Sequence, residues 1–157
     1  MAEQLTDGLK VLIASILPYL ELRGAIPLAW QLGFNPLEAY ILAVIGNMIP
    51  VIPILILIEP VIKWFSKITL FKKLCEWVLV RSRRQAPQVQ KYGFWGLAIF
   101  VAIPLPMTGA WSGAAIAFIL GMRKRVAFLS IFLGVLTAGL IVTSLTYGLA
   151  YLFERVP

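Results

Sequence analysis

Glu21 and Arg23 are the residues whose types and spacing could do chemistry in this sequence. They lie two positions apart within residues 11–34, which are otherwise uncharged and largely apolar. Ionisable groups at membrane depth are costly and normally face protein or water rather than lipid. In a functional interpretation, Arg23 binds a phosphate or carboxylate through its planar guanidinium, and Glu21 binds a proton or a cation. The alternative is a structural role, in which the two charges satisfy each other or the backbone.

Proline and glycine surround this charged pair and predict a broken backbone. Pro18 and Pro27 flank the pair and Gly24 follows it, so a continuous helix is disfavoured here. We predict that residues 20–27, called the first tip below, form a polar interruption inside the bilayer. Broken helices expose backbone N–H groups that attract anions, although glycines in such a place also permit close packing.

A second, uncharged interruption falls at residues 104–113, called the second tip below. Its candidate substrate or proton residues are Pro104, Pro106, Thr108, Gly109, Trp111, Ser112 and Gly113. Threonine and serine hydroxyls often bond only to their own helix backbone, which is the structural alternative here. Asn47, near the middle of an apolar run, completes the candidate site, and an interhelical hydrogen bond is its more ordinary role.

Composition assigns the chain to the all-α integral membrane proteins. Of its 157 residues 61% are hydrophobic and 13% are charged, and the apolar runs are continuous rather than alternating as in a membrane barrel. Histidine is absent and Cys75 is the single cysteine, so the usual metal ligands and the usual near-neutral proton carrier are missing. No nucleophile has an adjacent base. We therefore expect no metal, no cofactor and no enzymatic activity.

The apolar runs divide this single membrane domain, residues 1–157, into two repeats on either side of a basic segment. Each repeat is predicted to be a re-entrant helical hairpin followed by a transmembrane helix. The first repeat, 9–58, has hairpin 9–34, with a helix beginning near Gly8, and span 37–58, kinked near its prolines; the second, 93–153, has hairpin 93–121 and span 126–153.

A shift of 88 residues brings the two repeats into one ungapped register. Leucine and alanine coincidences are common in an apolar chain, whereas proline and glycine coincidences are informative. The informative pairs are Pro18 with Pro106, Gly33 with Gly121 and Gly46 with Gly134. The chain therefore reads as an internal duplication.

Residues 59–91 are basic and interleaved with aromatics, which predicts an amphipathic helix on an anionic membrane surface. The side chains expected at that surface are Lys63, Lys67, Lys72, Lys73, Arg81, Arg83 and Arg84. The net charge of +7 therefore indicates membrane orientation rather than nucleic-acid binding. Membrane lipids with anionic headgroups are the expected partners.

The positive-inside rule predicts that the two repeats have opposite orientations in the membrane. Residues 59–91 and the cluster 123–125 both belong in the cytoplasm, so hairpin 93–121 must enter the membrane and return. By the same logic hairpin 9–34 enters from outside, and both termini lie outside. Inverted repeats whose broken helices meet near the midplane are typical of secondary transporters.

Two motifs carry a family resemblance. Glu-Leu-Arg-Gly-Ala-Ile-Pro at 21–27 and Pro-Leu-Pro-Met-Thr-Gly-Ala-Trp-Ser-Gly at 104–113 together resemble the putative small multidrug export proteins, a prokaryotic membrane family distantly similar to the DedA and VTT-domain superfamily. The resemblance covers about residues 9–153 and implies two re-entrant hairpins. It also implies lipid movement: DedA relatives are associated with polyprenyl-phosphate carriers and the proton-motive force, and VTT relatives with phospholipid scrambling. DedA proteins carry arginines near the second hairpin, whereas the nearest basic residues here are at 123–125.

We therefore expect a prokaryotic cell-membrane transporter of an anionic amphiphile. The first candidate cargo is a lipid-linked phosphate, either a polyprenyl phosphate or a phospholipid, with protons as a candidate coupling ion. Two spans and two hairpins are few elements to enclose a transport pathway, which favours a homodimer. Gly134 and Gly139 on the last span are candidate close-packing points. An exporter of small solutes or drugs is one alternative, and a non-transporting membrane scaffold is another.

The predicted topology can be tested with the native thiol. We expect Cys75 to be cytoplasmic, so a membrane-impermeant maleimide should label it only after cells are lysed. A Cys75→Ser, Gln4→Cys double variant, with its thiol outside, should be labelled in intact cells. Full labelling of native Cys75 in intact cells, with no gain on lysis, would contradict the orientation.

Overall fold

The computed structural model describes residues 2–65, 93–105 and 108–154, and the secondary structure in this part of the chain is helical. The helices are α1 (Ala2–Ile16), α2 (Glu21–Gln31), α3 (Pro36–Met48), α4 (Val51–Phe65), α5 (Gly93–Ala102), α6 (Ala110–Ile119) and α7 (Lys124–Glu154). The predicted amphipathic helix lies outside the described residues from position 66 onward. Its side chains Lys67, Lys72, Lys73, Arg81, Arg83 and Arg84, and Pro106 of the second tip, therefore stay predictions.

Two helices are long and apolar enough to cross a bilayer. One runs over Pro36–Ile62, which comprises α3 and most of α4, and the other over Lys124–Leu152 within α7. The first extends beyond the predicted span 37–58 at both ends, so the first residues of the predicted basic segment 59–91 belong to α4. The second begins two residues before the predicted span 126–153 and ends one residue before its end. Residues 49 and 50 separate α3 from α4, so the helix is interrupted where the prolines predict a kink.

The start of α3 follows directly from its sequence. The Asn35 side chain accepts a hydrogen bond of 2.9 Å from the Glu38 N–H, and the Glu38 carboxylate accepts one of 3.3 Å from the Asn35 N–H. Pro36, at the first helical position, has no N–H that would need a partner. This reciprocal cap is the signature of a helix N-terminus.

The first hairpin differs from its prediction at two points. Helix α1 begins at Ala2 rather than near Gly8, since Glu3, Gln4 and Leu5 are good helix formers and the next turn carries an Asp7–Lys10 ion pair of 2.7 Å. The broken backbone is confined to residues 17–20, so the rest of the first tip is helical. Pro27 lies inside α2, where it removes only one backbone hydrogen bond.

The second helices of the two hairpins, α2 and α6, end in the same way. Gly33 and Gly121 each follow their helix with a positive φ, +81° and +65°. The N–H of Phe34 bonds to the carbonyl of Ala29, and the N–H of Met122 bonds to that of Ala117. This is the αL helix end that glycine favours. The 88-residue register therefore pairs positions of identical backbone structure.

The first hairpin packs on α3 with α1 and α3 running in the same direction. A Cβ at Gly8 would lie 3.9 Å from the Leu42 side chain and 3.8 Å from the Phe34 ring. One turn further along both helices, a Cβ at Gly46 would lie 2.8 Å from the Leu12 carbonyl oxygen. The contact with Phe34, beyond the end of α2, shows that the chain returns to the start of α1.

The second hairpin packs on α7 in an equivalent way. The Ser130 hydroxyl donates a hydrogen bond to the Phe94 carbonyl. A Cβ at Gly134, one turn along α7, would lie 2.7 Å from the Ala98 carbonyl oxygen, one turn along α5. Gly46 and Gly134 are thus matched in the 88-residue register and in their structural role, which is to let two helix backbones approach closely.

The two long helices run antiparallel. The Tyr147 hydroxyl, late in α7, donates a 2.7 Å hydrogen bond to the Phe34 carbonyl just before α3. The Tyr40 hydroxyl donates a 3.2 Å bond to the Leu136 carbonyl. A Cβ at Gly139 would meet the Tyr40 ring at 2.8 Å. Gly134 and Gly139 are therefore close-packing points within the chain, which confirms the close packing predicted for them. The homodimer stays a prediction.

Substituting Gly134 tests the backbone approach between α5 and α7. We expect Gly134→Ala to lower the free energy of unfolding by about 1–3 kcal/mol, because the new methyl group would overlap backbone that cannot rotate away. Gly148→Ala is the matched control on the same helix, since nothing lies within 4 Å of a Cβ there. Thermal unfolding in detergent micelles measures both variants, and equal melting temperatures would contradict the packing.

Candidate functional site

Glu21 lies where the first tip meets the second. Its side chain is 5% exposed, and its carboxylate accepts hydrogen bonds from the backbone N–H groups of Ala110 and Trp111, at the start of α6. The positive end of a helix dipole stabilises an anion in this position. Glu21 also has a φ of +47°, a left-handed conformation that costs a non-glycine residue roughly 1–2 kcal/mol.

Gly109 makes room for this carboxylate. A Cβ at Gly109 would stand 1.6 Å from a Glu21 carboxylate oxygen and 2.2 Å from its carboxyl carbon. No side chain larger than hydrogen fits while Glu21 keeps its place. The glycine that the sequence marks as a candidate thus forms the wall of the Glu21 site.

Arg23 binds the other side of the same break. Its guanidinium donates to the carbonyl of Leu105, to the Thr108 carbonyl at 2.8 Å and hydroxyl at 3.1 Å, and to the Ile103 carbonyl at 3.4 Å. These carbonyls lie in the break that follows α5, which ends at Ala102. The cation therefore binds the backbone between α5 and α6, while Glu21 binds the start of α6.

Glu21 and Arg23 are directed at the second hairpin rather than at each other. Both belong to the described part of the chain, where no Arg23 nitrogen comes within salt-bridge distance of the Glu21 carboxylate. A close ion pair between them, one form of the structural alternative, is therefore absent, although the two charges attract each other at longer range. The other form, in which both charges satisfy backbone groups, is the arrangement seen. We call the bonds of Glu21 and Arg23 to residues 103–111 the tip contact.

The second hairpin binds back to the first through Trp111. The indole Nε1–H of Trp111 donates a 3.1 Å hydrogen bond to the carbonyl of Ile16, the last residue of α1. A carbonyl at the C-terminus of a helix has no partner within that helix. Each hairpin thus satisfies backbone groups that the break exposes in the other.

The hydroxyls of the second tip organise its own backbone. The Thr108 hydroxyl lies 2.7 Å from the Ile103 carbonyl and 2.8 Å from the Leu105 carbonyl. The Ser112 hydroxyl accepts a 3.0 Å bond from the Gly109 N–H. Thr108 therefore helps to hold the carbonyls that Arg23 binds, and Ser112 caps α6.

The remaining candidates surround this centre in packing roles. A Cβ at Gly113 would meet Val101 of α5 at 2.7 Å, and one at Gly24 would meet the Leu20 side chain at 2.9 Å. Pro104 lies in the break after α5, and Pro27 lies in α2. Among the described residues, no group of three His, Cys, Asp or Glu side chains could hold a metal ion.

Asn47 is buried without hydrogen bonds. Its side chain is 1% exposed, and neither amide atom has a partner, so the predicted interhelical hydrogen bond is wrong. Residues 40, 44 and 47 share one face of α3, and Tyr40 and Val44 contact α7 at Gly139. A buried amide without partners is costly, which marks Asn47 as the least satisfied polar group on this face.

Sequence similarity identifies the family. Residues 21–141 match the family described as "Putative small multi-drug export protein". The chain belongs to this family. The match begins at Glu21 and covers residues 21–27 of the first tip and the whole of the second, and the family is described as one of exporters. With the two apolar helices, membership makes the chain a helical membrane protein. Comparison with curated proteins and with solved structures finds no match.

Gly109 gives a direct test of the tip contact. We expect Gly109→Ala to lower the free energy of unfolding by about 2–4 kcal/mol, because the methyl group displaces the Glu21 carboxylate from two charge-assisted hydrogen bonds. Gly96→Ala, in α5 with nothing within 4 Å of its Cβ, is the matched control and should be nearly neutral.

A double-mutant cycle separates the displaced carboxylate from other effects of the new methyl group. In a Glu21→Ala background the obstruction is gone, so Gly109→Ala should cost much less than it does in the native chain. An equal loss in both backgrounds, measured by thermal or denaturant unfolding in detergent, would show that Gly109 and Glu21 do not interact.

Proposed function

We propose that this protein is a small transporter built as an inverted repeat of two re-entrant hairpins, each followed by a spanning helix. The parallel packing of α1 on α3 and of α5 on α7, with α3 antiparallel to α7, supports this arrangement. In it, the hairpins enter from opposite faces and meet at their tips. The basic segment 59–91 is cytoplasmic, both termini are outside, and the protein resides in the prokaryotic cell membrane as a homodimer.

The tip contact is the observation that carries the proposal. It brings together the Glu21 carboxylate, the Arg23 guanidinium and the broken backbone between α5 and α6. In inverted-repeat transporters, broken helix ends near the midplane bind cargo and coupling ions. Because the contact joins the two hairpins largely through polar bonds, its opening separates the tips and is the natural gating step.

An anionic amphiphile is the cargo that this chemistry favours. Glu21 occupies the N-terminus of α6, where an anion such as a phosphate group would bind. Opening the contact exposes that N-terminus together with the Arg23 guanidinium, which binds phosphate in a bidentate manner. Protonation of Glu21 would remove the competing negative charge, which provides a route to proton coupling. A lipid-linked phosphate, either a polyprenyl phosphate or a phospholipid, combines the required anion with an apolar body.

A small drug-like solute is the second candidate cargo, and a separate groove favours it. Between α1 and α3 lies an open, largely apolar cavity of about 810 Å³, lined by Leu5, Leu9, Leu12, Phe34 and Ile41 among others. This volume falls in the range of sites for drug-sized ligands. The family description agrees with this cargo. A non-transporting scaffold is the alternative of another class, and it would tolerate neutral residues at 21 and 23.

Reconstitution into liposomes tests the proposal. We expect the wild type to move a fluorescent polyprenyl phosphate across the bilayer, faster with a pH gradient, and Glu21→Gln and Arg23→Gln each to reduce the rate at least tenfold. Lys10→Gln is the matched control, since it removes a charge from the exposed Asp7–Lys10 pair on α1. Circular dichroism and size-exclusion profiles confirm that all variants are folded.

The other outcomes distinguish the alternatives. Movement of a fluorescent drug-like cation or neutral solute, without movement of the lipid, would reassign the cargo and keep the transporter. Transport that survives both tip substitutions would show that the tip contact is structural only. No flux of any cargo from folded protein would favour the scaffold.

A further inference from the structure

A second groove lies between the end of the first spanning helix and the start of the second. It is formed by α4 and α7, has a volume of about 400 Å³, and is lined by Ile52, Leu55, Ile56, Phe128 and Leu129. Ile52, Ile56 and Leu129 are each more than half exposed. An apolar groove on the outside of a membrane bundle faces lipid chains rather than water.

Two basic side chains, Lys124 and Arg125, complete the lining of this groove. Both are exposed, and no described acidic side chain forms an ion pair with either. They stand at the first residues of α7, where the chain enters its apolar run. The groove therefore presents positive charge at one end and hydrocarbon along its length.

We propose that this groove binds one anionic lipid. The phosphate of the headgroup contacts Lys124 and Arg125, and one hydrocarbon chain lies along Ile52, Ile56 and Leu129. Basic residues at the membrane surface attract anionic headgroups, and the apolar walls remove part of the lipid chain from its neighbours. The basic end of the groove is complementary to an anionic headgroup, and its apolar walls are complementary to a hydrocarbon chain.

A free phosphate ion would contact only the two basic side chains of this site and none of its apolar walls. The two basic side chains are exposed to solvent and ions, where isolated charge contacts are weak. The apolar walls add selectivity only for a ligand that carries a hydrocarbon chain. For this reason the proposed occupant is a lipid rather than a soluble anion.

This inference goes beyond the transport proposal, because lipid binding here depends on neither Glu21 nor Arg23. The groove contacts α4 and the start of α7, whereas the tip contact joins α2 to residues 103–111. Glu21→Gln should therefore reduce transport at least tenfold and keep lipid binding. In the wild type, transport without lipid labelling of the groove would show that the lipid-site proposal has failed, and labelling without transport would show that the transport proposal has failed.

Photo-crosslinking in nanodiscs tests the site. The probe is phosphatidylglycerol with a diazirine in one acyl chain, and mass spectrometry maps the adducts on the full chain. We expect adducts on peptides containing residues 52–56 and 128–129, and competition by unlabelled phosphatidylglycerol but not by phosphatidylcholine or inorganic phosphate. Removing both charges, in Lys124→Gln with Arg125→Gln, should reduce labelling there about tenfold or more.

Two matched controls fix the interpretation. Arg123→Gln removes a charge from the same basic cluster, 123–125, at a residue that does not line the groove. It should reduce labelling much less. Leu129→Trp fills the groove and should block labelling, whereas Leu140→Trp, at an equally exposed position of α7, should not. Labelling that is uniform along α7, insensitive to headgroup or unchanged in the double charge variant would overturn the proposal. Labelling displaced by inorganic phosphate would show a simple anion site instead.

Discussion

The structure depends on one requirement, which is that the helix ends exposed at two broken hairpins must find hydrogen-bond partners. A helix leaves N–H groups free at its start and carbonyls free at its end, and such groups need partners when they are buried. Here the first hairpin supplies a carboxylate to the start of α6 and a guanidinium to the backbone that follows α5. The second hairpin supplies the Trp111 indole to the end of α1. Each hairpin completes the other, so we expect neither to be stable without its partner.

Several other features of the molecule serve this contact. Gly109 has no side chain where the carboxylate lies, and Glu21 adopts a left-handed backbone conformation. Gly46 and Gly134 bring each hairpin against its spanning helix at the distance of backbone contact. Backbone strain and close approach at one centre are common where a protein performs its function, because the surrounding structure must hold such geometry in place.

The same chemistry suits both stability and the gating step that we propose. Charge-assisted hydrogen bonds across the tips are strong while they are made, but they are few, and in the proposed mechanism a competing anion or a proton acts directly on them. An apolar interface of the same area would offer no such point of control.

The amino-acid sequence by itself determines the class of protein, the two apolar helices that are long enough to cross a bilayer, the positions of its breaks and the 88-residue register of its matched glycines. Hydrophobic run length, proline, glycine and the Asn35 cap act locally, and so they can be read along the chain. The extent of the first break was predicted too broadly, because a helix tolerates Gly24 and Pro27 when its neighbours support it. Only the tertiary structure decided which groups Glu21 and Arg23 bind. Their partners are mostly backbone N–H and carbonyl groups more than 80 residues away, and every residue has such groups, so no residue type in the sequence marks them.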